Sequence, residues 1–263
     1  MSLAEIFKEG VWKLESIPTP RVRVEKRKVE KPRVGVKPKL RTPQEVTDII
    51  LRELDKNVYG NTEMKIALLV GLFGNVDLLF ISKPGQGKSY TINVLAKICG
   101  LTDKEFFRLL INPEVTRYDI VGDPLTYEKI VDENTTAIKI GIDLTTKIAS
   151  GEVRLAVFDE LFKTLNYRAL NPINDITALR CVEVGGKIRR LDKLWCVIGL
   201  DNPEDITEEV RESALYDRFI VVTLPPIKRE YYLNILDTVF SRKTDFREIK
   251  IDATVSKAEV ENV

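Results

Sequence analysis

The sequence has no histidine and only three cysteines among its 263 residues. Without imidazole, general acid–base chemistry near neutral pH must rest on carboxylates or lysines. Cys99, Cys181 and Cys196 are an odd number at no metal-ligand spacing, which weighs against both a zinc site and a disulfide framework. Such cysteine use suits a reducing interior, where a thiol serves as a small apolar group, so the cytoplasm is the expected address. A membrane-length apolar run is also lacking. The longest candidate, Ile66 to Ile81, is interrupted by Gly71, Gly74, Asn75 and Asp77. Glu5, Lys8 and Glu9 stand where a secretory signal would carry its apolar core.

Net charge is close to zero, at +1, so no bulk attraction to polyanions is expected. The charge is unevenly spread. Residues 21–41 carry Arg21, Arg23, Lys26, Arg27, Lys28, Lys31, Arg33, Lys37, Lys39 and Arg41 against only Glu25 and Glu30. Pro18, Pro20, Pro32, Pro38 and Pro43 lie in or beside this stretch, a composition that cannot bury enough apolar surface to fold alone. Residues 1–41 therefore read as a basic, proline-containing arm or linker. From Thr42 the pattern changes: Thr42 is a plausible N-cap, Pro43 suits the first helical position, and Val46, Ile49, Ile50 and Leu54 follow at helical spacing.

Five short apolar runs follow: Leu78 to Ile81, Phe106 to Ile111, Leu155 to Phe158, Trp195 to Leu200, and Phe219 to Leu224. Helical segments, including Ser89 to Ile98 and Tyr167 to Leu179, lie between them. Alternation of buried strands with helices predicts the α/β class, with a parallel five-stranded sheet covered on both faces.

"SKPGQGKS", residues 82–89, directly follows the first strand and directly precedes a helix. In that context backbone N–H groups of Gly85 to Ser89 would converge on a β-phosphate at a helix N-terminus. Lys88 would bridge β- and γ-oxygens and Ser89 would ligate Mg²⁺. The candidate cradle for ATP is thus Pro84, Gly85, Gln86, Gly87, Lys88, Ser89 and Tyr90, with Ser82 in the place of the usual first glycine. "LAVFDE", residues 155–160, ends a strand on two carboxylates: Asp159 for the metal's water shell and Glu160 to polarise the attacking water. "LDNP", residues 200–203, places Asn202 at another strand tip, where it is either a sensor of the same water or simply a turn residue. Arg218, in "LYDRF", is either a surface ion pair or a finger for a neighbouring subunit's γ-phosphate.

These motifs, in this order, resemble an AAA+ ATPase. Residues 58–226 are similar to the MoxR family, especially its RavA-like members, through "VYGNTEMKIALLVGLFGNVDLLFISKPGQGKS", "YDIVGDPL", "LAVFDELFK" and "ALYDRF". The resemblance implies a P-loop AAA+ core over residues 42–226. Its ATP and Mg²⁺ would be held by Lys88, Ser89 and Asp159, with Glu160 and Asn202 catalytic, Arg218 a finger, and Val58, Tyr59 and Gly60 near the adenine. It also implies two hairpin insertions, in residues 125–142 and 180–191, the second turning at Gly185 and Gly186. Residues 227–263 are expected to be an extension or the start of a truncated lid, too short for the usual helical lid with its second sensor arginine. Other departures are Phe162-Lys163 after the acidic pair and Leu179 before Arg180.

Three functions follow from the sequence. The first is a homo-oligomeric, hexameric ring remodelling a protein client as a chaperone, with a von Willebrand factor A-domain partner and a role in metal insertion implied by the resemblance. The second gives the same engine a nucleic-acid track contacted by the arm and by Lys187, Arg189 and Arg190, and is disfavoured by the scarcity of aromatics for base stacking. The third is a nucleotide-gated scaffold with little turnover.

Overall fold

The computed structural model describes residues 40–122, 127–132, 135–140, 148–163, 167–184, 186–241 and 249–263. The basic arm before Leu40, the turn residue Gly185 and residues 125, 126, 133, 134, 141 and 142 of the first insertion lie outside them. All described residues belong to one unit, Leu40–Val263.

The first helix, α1 (Pro43–Asn57), begins where its capping chemistry dictates. The Thr42 hydroxyl accepts the Glu45 N–H, and the Glu45 carboxylate accepts the Thr42 N–H in return. Its Val46, Ile50 and Leu54 are buried. Helix α2 (Thr62–Gly74) then leads into strand β1 (Leu78–Ile81), which the phosphate loop joins to α3 (Lys88–Ile98). There follow β2 (Phe106–Leu110), α4 (Arg117–Val121), the hairpin β3 (Tyr127–Asp132) and β4 (Thr135–Ile140), then β5 (Leu155–Asp159) and α5 (Tyr167–Leu179). A second hairpin, β6 (Cys181–Val184) and β7 (Lys187–Arg190), precedes β8 (Cys196–Asp201), α6 (Glu208–Arg211), β9 (Ile220–Thr223), α7 (Arg229–Ser241) and α8 (Lys257–Glu261).

The five core strands form one parallel sheet in the order β2-β5-β8-β1-β9. Both expected hairpins are antiparallel pairs outside it. Alternate residues divide the sheet's interior into two cores. Leu79, Ile81, Ala156, Phe158 and Val197 face a cluster completed by Ile120 of α4 and by Leu170, Ile173 and Ile176 of α5. Leu78, Phe80, Leu155, Val157 and Ile198 face the cluster of α1, α2 and α3. Burial on both faces explains why these strands read as continuous apolar runs in the sequence. Cys99 and Cys196 lie in the second cluster, where burial pushes both thiols up, Cys99 to about 12, so they pack as neutral groups.

The stretch from Ile249 onward packs on the core. Val255 and Val260 are buried against α1 to α3, the Val255 N–H donates to the Ile98 carbonyl at 2.9 Å, and Arg154 pairs with Glu261. The short helix α8 carries its own capping box, Ser256 with Glu259.

Strand β8 runs through the middle of the sheet and is buried along its whole length. At Gly199 a Cβ would come within 2.9 Å of both Leu161 Cδ2 and Leu79 Cδ1, so only glycine lets these side chains close over the strand. Gly199→Val is expected to destabilise the protein by about 1–3 kcal/mol through overpacking. A lowered unfolding midpoint in urea at constant slope checks this, and an unchanged midpoint would refute it.

Candidate functional site

Parallel pairing sets the depth of the site. Ile81 of β1 is level with Asp201 of β8, while Asp159 of β5 is level with both Leu200 of β8 and Leu110 of β2. The carboxyl ends of four strands therefore open into one cleft of about 340 Å³. It is lined by the loop from Pro84 to Tyr90 together with Asp159, Glu160, Asp201 and Asn202. Open α/β sheets bind ligands at this end.

The loop has the backbone its glycines allow: φ is +78° at Gly85 and +73° at Gly87. Among the described residues the N–H groups of Gly85 to Ser89 find no acceptor, so a row of donors stands at the N-terminus of α3. Such a row suits an anion. Lys88 reaches back across the loop, its Nζ donating to the Ser82 carbonyl at 2.5 Å, the Asp201 carbonyl at 2.9 Å and Asn202 Oδ1 at 3.5 Å. Burial lowers the Lys88 pKa, and the negative charges of Asp201, Asp159, Glu204 and Asp205 oppose that shift.

Ser89 Oγ donates to Asp159 Oδ1 at 3.2 Å. Mg²⁺ in phosphate-transfer sites takes one or two protein oxygens and fills its octahedron with phosphate and water. The Ser89 and Asp159 pair fits that donor set. Among the described residues no cluster of three or more His, Cys, Asp or Glu could hold a metal alone. Asp159 Oδ2 also accepts from Arg108 of β2, through Nε at 2.8 Å and through Nη2.

Glu160 stands at φ +55°, a left-handed conformation that costs a non-glycine residue of order 1–3 kcal/mol unless its surroundings enforce it. They do so here. The Leu161 N–H donates to the Leu200 carbonyl at 3.2 Å, and the Phe162 N–H donates to Asp201 Oδ2 at 2.7 Å. Glu160 lines the cleft, and its carboxylate pairs with Lys163 at 2.6 Å, which raises the Lys163 pKa.

The sequence-derived residues thus separate into groups. Residues 84–90, Asp159, Glu160 and Asn202 share the cleft. Gly60 lines a neighbouring recess of about 150 Å³ with Pro225, Pro226, Ile227 and Tyr231, whose ring lies against Gly60. Val58 is buried and receives the Lys65 ammonium on its carbonyl at 2.7 Å, while Tyr59 lies between it and the recess in the chain. Cleft and recess are joined through Gln86: its carbonyl accepts from Asn61 Nδ2 at 2.8 Å and its Oε1 accepts the Ile227 N–H at 2.7 Å. Arg218 is exposed, lies outside the cleft's lining and makes no ion pair among the described residues.

Arg108 and Asp201 were not singled out from the sequence, and Gln86 was read only as part of the phosphate loop, without its links to Asn61 and Ile227. Arg108 had a signal, as the lone charge inside the apolar run Phe106 to Ile111. Asp201 had only its place before Asn202.

No protein-family model matches the chain. It is 30% identical over 181 residues to structural protein ORF618 of Acidianus two-tailed virus, a match covering 65% of this chain and 26% of that protein. The chain thus spans about a quarter of the length of this curated relative. The fold is similar to that of a crystal structure of a "putative ATPase" from Cytophaga hutchinsonii, with TM-score 0.60 and 21% identity over 83% of this chain and 62% of that one. This likeness and the sheet order show an α/β fold with a five-stranded parallel sheet between helices, consistent with a P-loop ATPase core.

Burial raises the Asp201 pKa to about 7, assisted by the nearby Asp205 carboxyl and opposed by the hydrogen bonds from Phe162 and Asn202. An acid whose pKa is raised by folding binds its proton more tightly in the native state. Its contribution to stability is full below the unfolded value of about 3.9 and is lost as pH rises through about 7. The stability of the wild-type chain relative to Asp201→Asn is therefore expected to fall between about pH 4 and pH 8. Denaturant titrations of both proteins across that range measure it, and a difference that stays flat or grows would contradict the assignment.

Proposed function

We propose that the chain binds ATP with Mg²⁺ and hydrolyses it as an AAA+ ATPase of the MoxR type, working in a homo-oligomeric ring on a protein client. The observation carrying the nucleotide part is the convergence on one cleft of Lys88, the free N–H row of Gly85 to Ser89, the Ser89–Asp159 pair, Glu160 and Asn202. Mg²⁺, when bound by Ser89 and Asp159, would supply charge neutralisation at the β- and γ-phosphates. Lys88 exchanges its carbonyl partners for phosphate oxygens. Glu160 accepts a proton from a water whose oxygen attacks the γ-phosphorus, the bond to the β-bridging oxygen breaks, and ADP and phosphate leave. Asn202, beside Lys88, orients the water. The adenine would enter the recess beside Gly60, with Gln86 linking base side and phosphate side.

The ring part is supported by Arg218, an exposed guanidinium without an ion pair among the described residues and outside its own cleft's lining. A neighbouring copy's γ-phosphate would employ it. Lys187, Ile188, Arg189 and Arg190 are all exposed on the β6–β7 hairpin, which suits contact with a client. A client with a von Willebrand factor A-type domain is the one the sequence resemblance implies. The viral relative's designation as a structural protein favours a second reading, in which the chain is an assembly component that binds nucleotide with little turnover.

Turnover per subunit is expected to rise with protein concentration and to fall about 10²–10⁴-fold in Glu160→Gln. Arg218→Ala alone is expected to lose turnover, and mixing it with Glu160→Gln chains should restore a fraction, because each supplies what the other lacks. Phosphate release assayed across a wide concentration range tests both. Turnover equal to the Glu160→Gln background at every concentration, with ATP still bound, would select the structural reading.

A further inference from the structure

Asp201 is the most deeply buried carboxylate at the cleft, 1% exposed, and the hydrolytic scheme gives it no step. Its contacts reach both the phosphate loop and the turn after β5. Its carbonyl accepts from Lys88 Nζ at 2.9 Å and from the Ser82 N–H at 3.2 Å, tying the phosphate loop to β8. Its side chain points the other way, toward β5. Oδ2 accepts the Phe162 N–H at 2.7 Å, and Oδ1 accepts the Asn202 N–H at 3.2 Å.

The bond to Phe162 matters because of what lies two residues earlier. Glu160 is held left-handed, and the turn from Glu160 to Lys163 is closed on itself by the Lys163 N–H on the Glu160 carbonyl at 3.0 Å. Among the described residues, Asp201 is the one side chain that accepts a backbone N–H of that turn. The Leu161 N–H uses the main chain of β8, which any residue supplies. Phe162 is then buried and its ring packs against Tyr216, so the anchored N–H also fixes which way the turn faces.

We infer that Asp201 is a positioning residue: its carboxylate clamps the turn after β5 and so holds Glu160 in the left-handed conformation that aims it into the cleft. This deepens the hydrolytic reading and rests on it for its catalytic consequence. The clamp itself is independent of nucleotide. A carboxylate is suited to it because it accepts on both oxygens, whereas an amide at the same place would turn one N–H₂ group toward a backbone donor. Displacing a catalytic group by about 1 Å costs on the order of 10²-fold in rate.

The test uses the full chain with Asp201→Ala, Asp201→Asn, Glu160→Gln and the double variant Asp201→Ala/Glu160→Gln. Asp201→Ala is expected to lower kcat about 10²-fold while the affinity for a fluorescent ATP analogue stays within about threefold. Asp201→Asn, which keeps one acceptor, should recover part of the loss. The double variant should be no slower than Glu160→Gln alone, because Asp201 acts only through Glu160. Amide hydrogen exchange over residues 160–163 should quicken at least tenfold in Asp201→Ala, with residues 85–89 unchanged, under conditions where thermal unfolding shows both proteins folded. Unchanged exchange in the turn, unchanged kcat in a wild type that turns over, or a double variant slower than Glu160→Gln would overturn the inference. If wild-type turnover is absent while the exchange result holds, the hydrolytic reading fails and the clamp stands.

Discussion

The candidate site depends on the placement of β8 between β1 and β5. In a parallel sheet the strand order decides which loops become neighbours, and the register decides how far each reaches. Had β1 and β5 been adjacent, the phosphate loop and the acidic pair would meet without an intervening strand, and no polar tip could stand between them. With β8 inserted, Asp201 and Asn202 occupy that gap at the level of Ile81. The cost is a central strand buried on both faces, which β8 meets with an apolar run and with Gly199 where two leucines cross it.

The polar end of β8 is held by its apolar length. Backbone amides inside the sheet are satisfied by neighbouring strands, so the two residues past the apolar run can direct their groups outward. Asp77 performs a corresponding task at the opposite end, accepting the Val197 N–H at 2.7 Å and the Arg180 guanidinium at 2.9 Å. Burial raises the Asp77 pKa, and Arg180 counters that shift first among its partners. A buried carboxylate anchors a backbone N–H at each end of the same strand. Both sites pair desolvation with compensating hydrogen bonds, which is what burial of a charge requires.

Much of this was legible in the sequence. Every core strand fell within one residue of its expected bounds, and β1, β5 and β8, buried on both faces, carry no polar residue before their ends to blur them. Thr42 and Pro43 announced the start of α1 through capping chemistry that is local and therefore readable. The phosphate loop and Asp159-Glu160 were legible for a different reason: their chemistry demands particular residues at fixed spacing. Contacts between distant segments were not readable. Arg108 meets Asp159 across 51 residues of sequence, and Asp201 meets Phe162 across 39, distances over which no spacing rule operates. The packing of Val255 and Val260 on the core was missed in the same way.

The charge distribution around the cleft bears on whether one chain could complete it. A nucleoside triphosphate with one Mg²⁺ still brings net negative charge, and transfer of the γ-phosphoryl spreads that charge over its equatorial oxygens. Three cations on or beside the cleft already answer an oxygen of the chain: Lys88 the ends of β1 and β8, Arg108 the Asp159 carboxylate, Lys163 the Glu160 carboxylate. Lys88 can exchange neutral carbonyls for phosphate at little cost. The other two can leave only by exposing a carboxylate, at Asp159 to the metal and at Glu160 to the water. On the hydrolytic reading, Arg108 and Lys163 therefore match the charge of the resting site, and a further cation would stabilise the transition state. Arg218 is exposed, makes no ion pair among the described residues and lies outside the cleft's lining, and the proposed ring would use it at the cleft of a second copy.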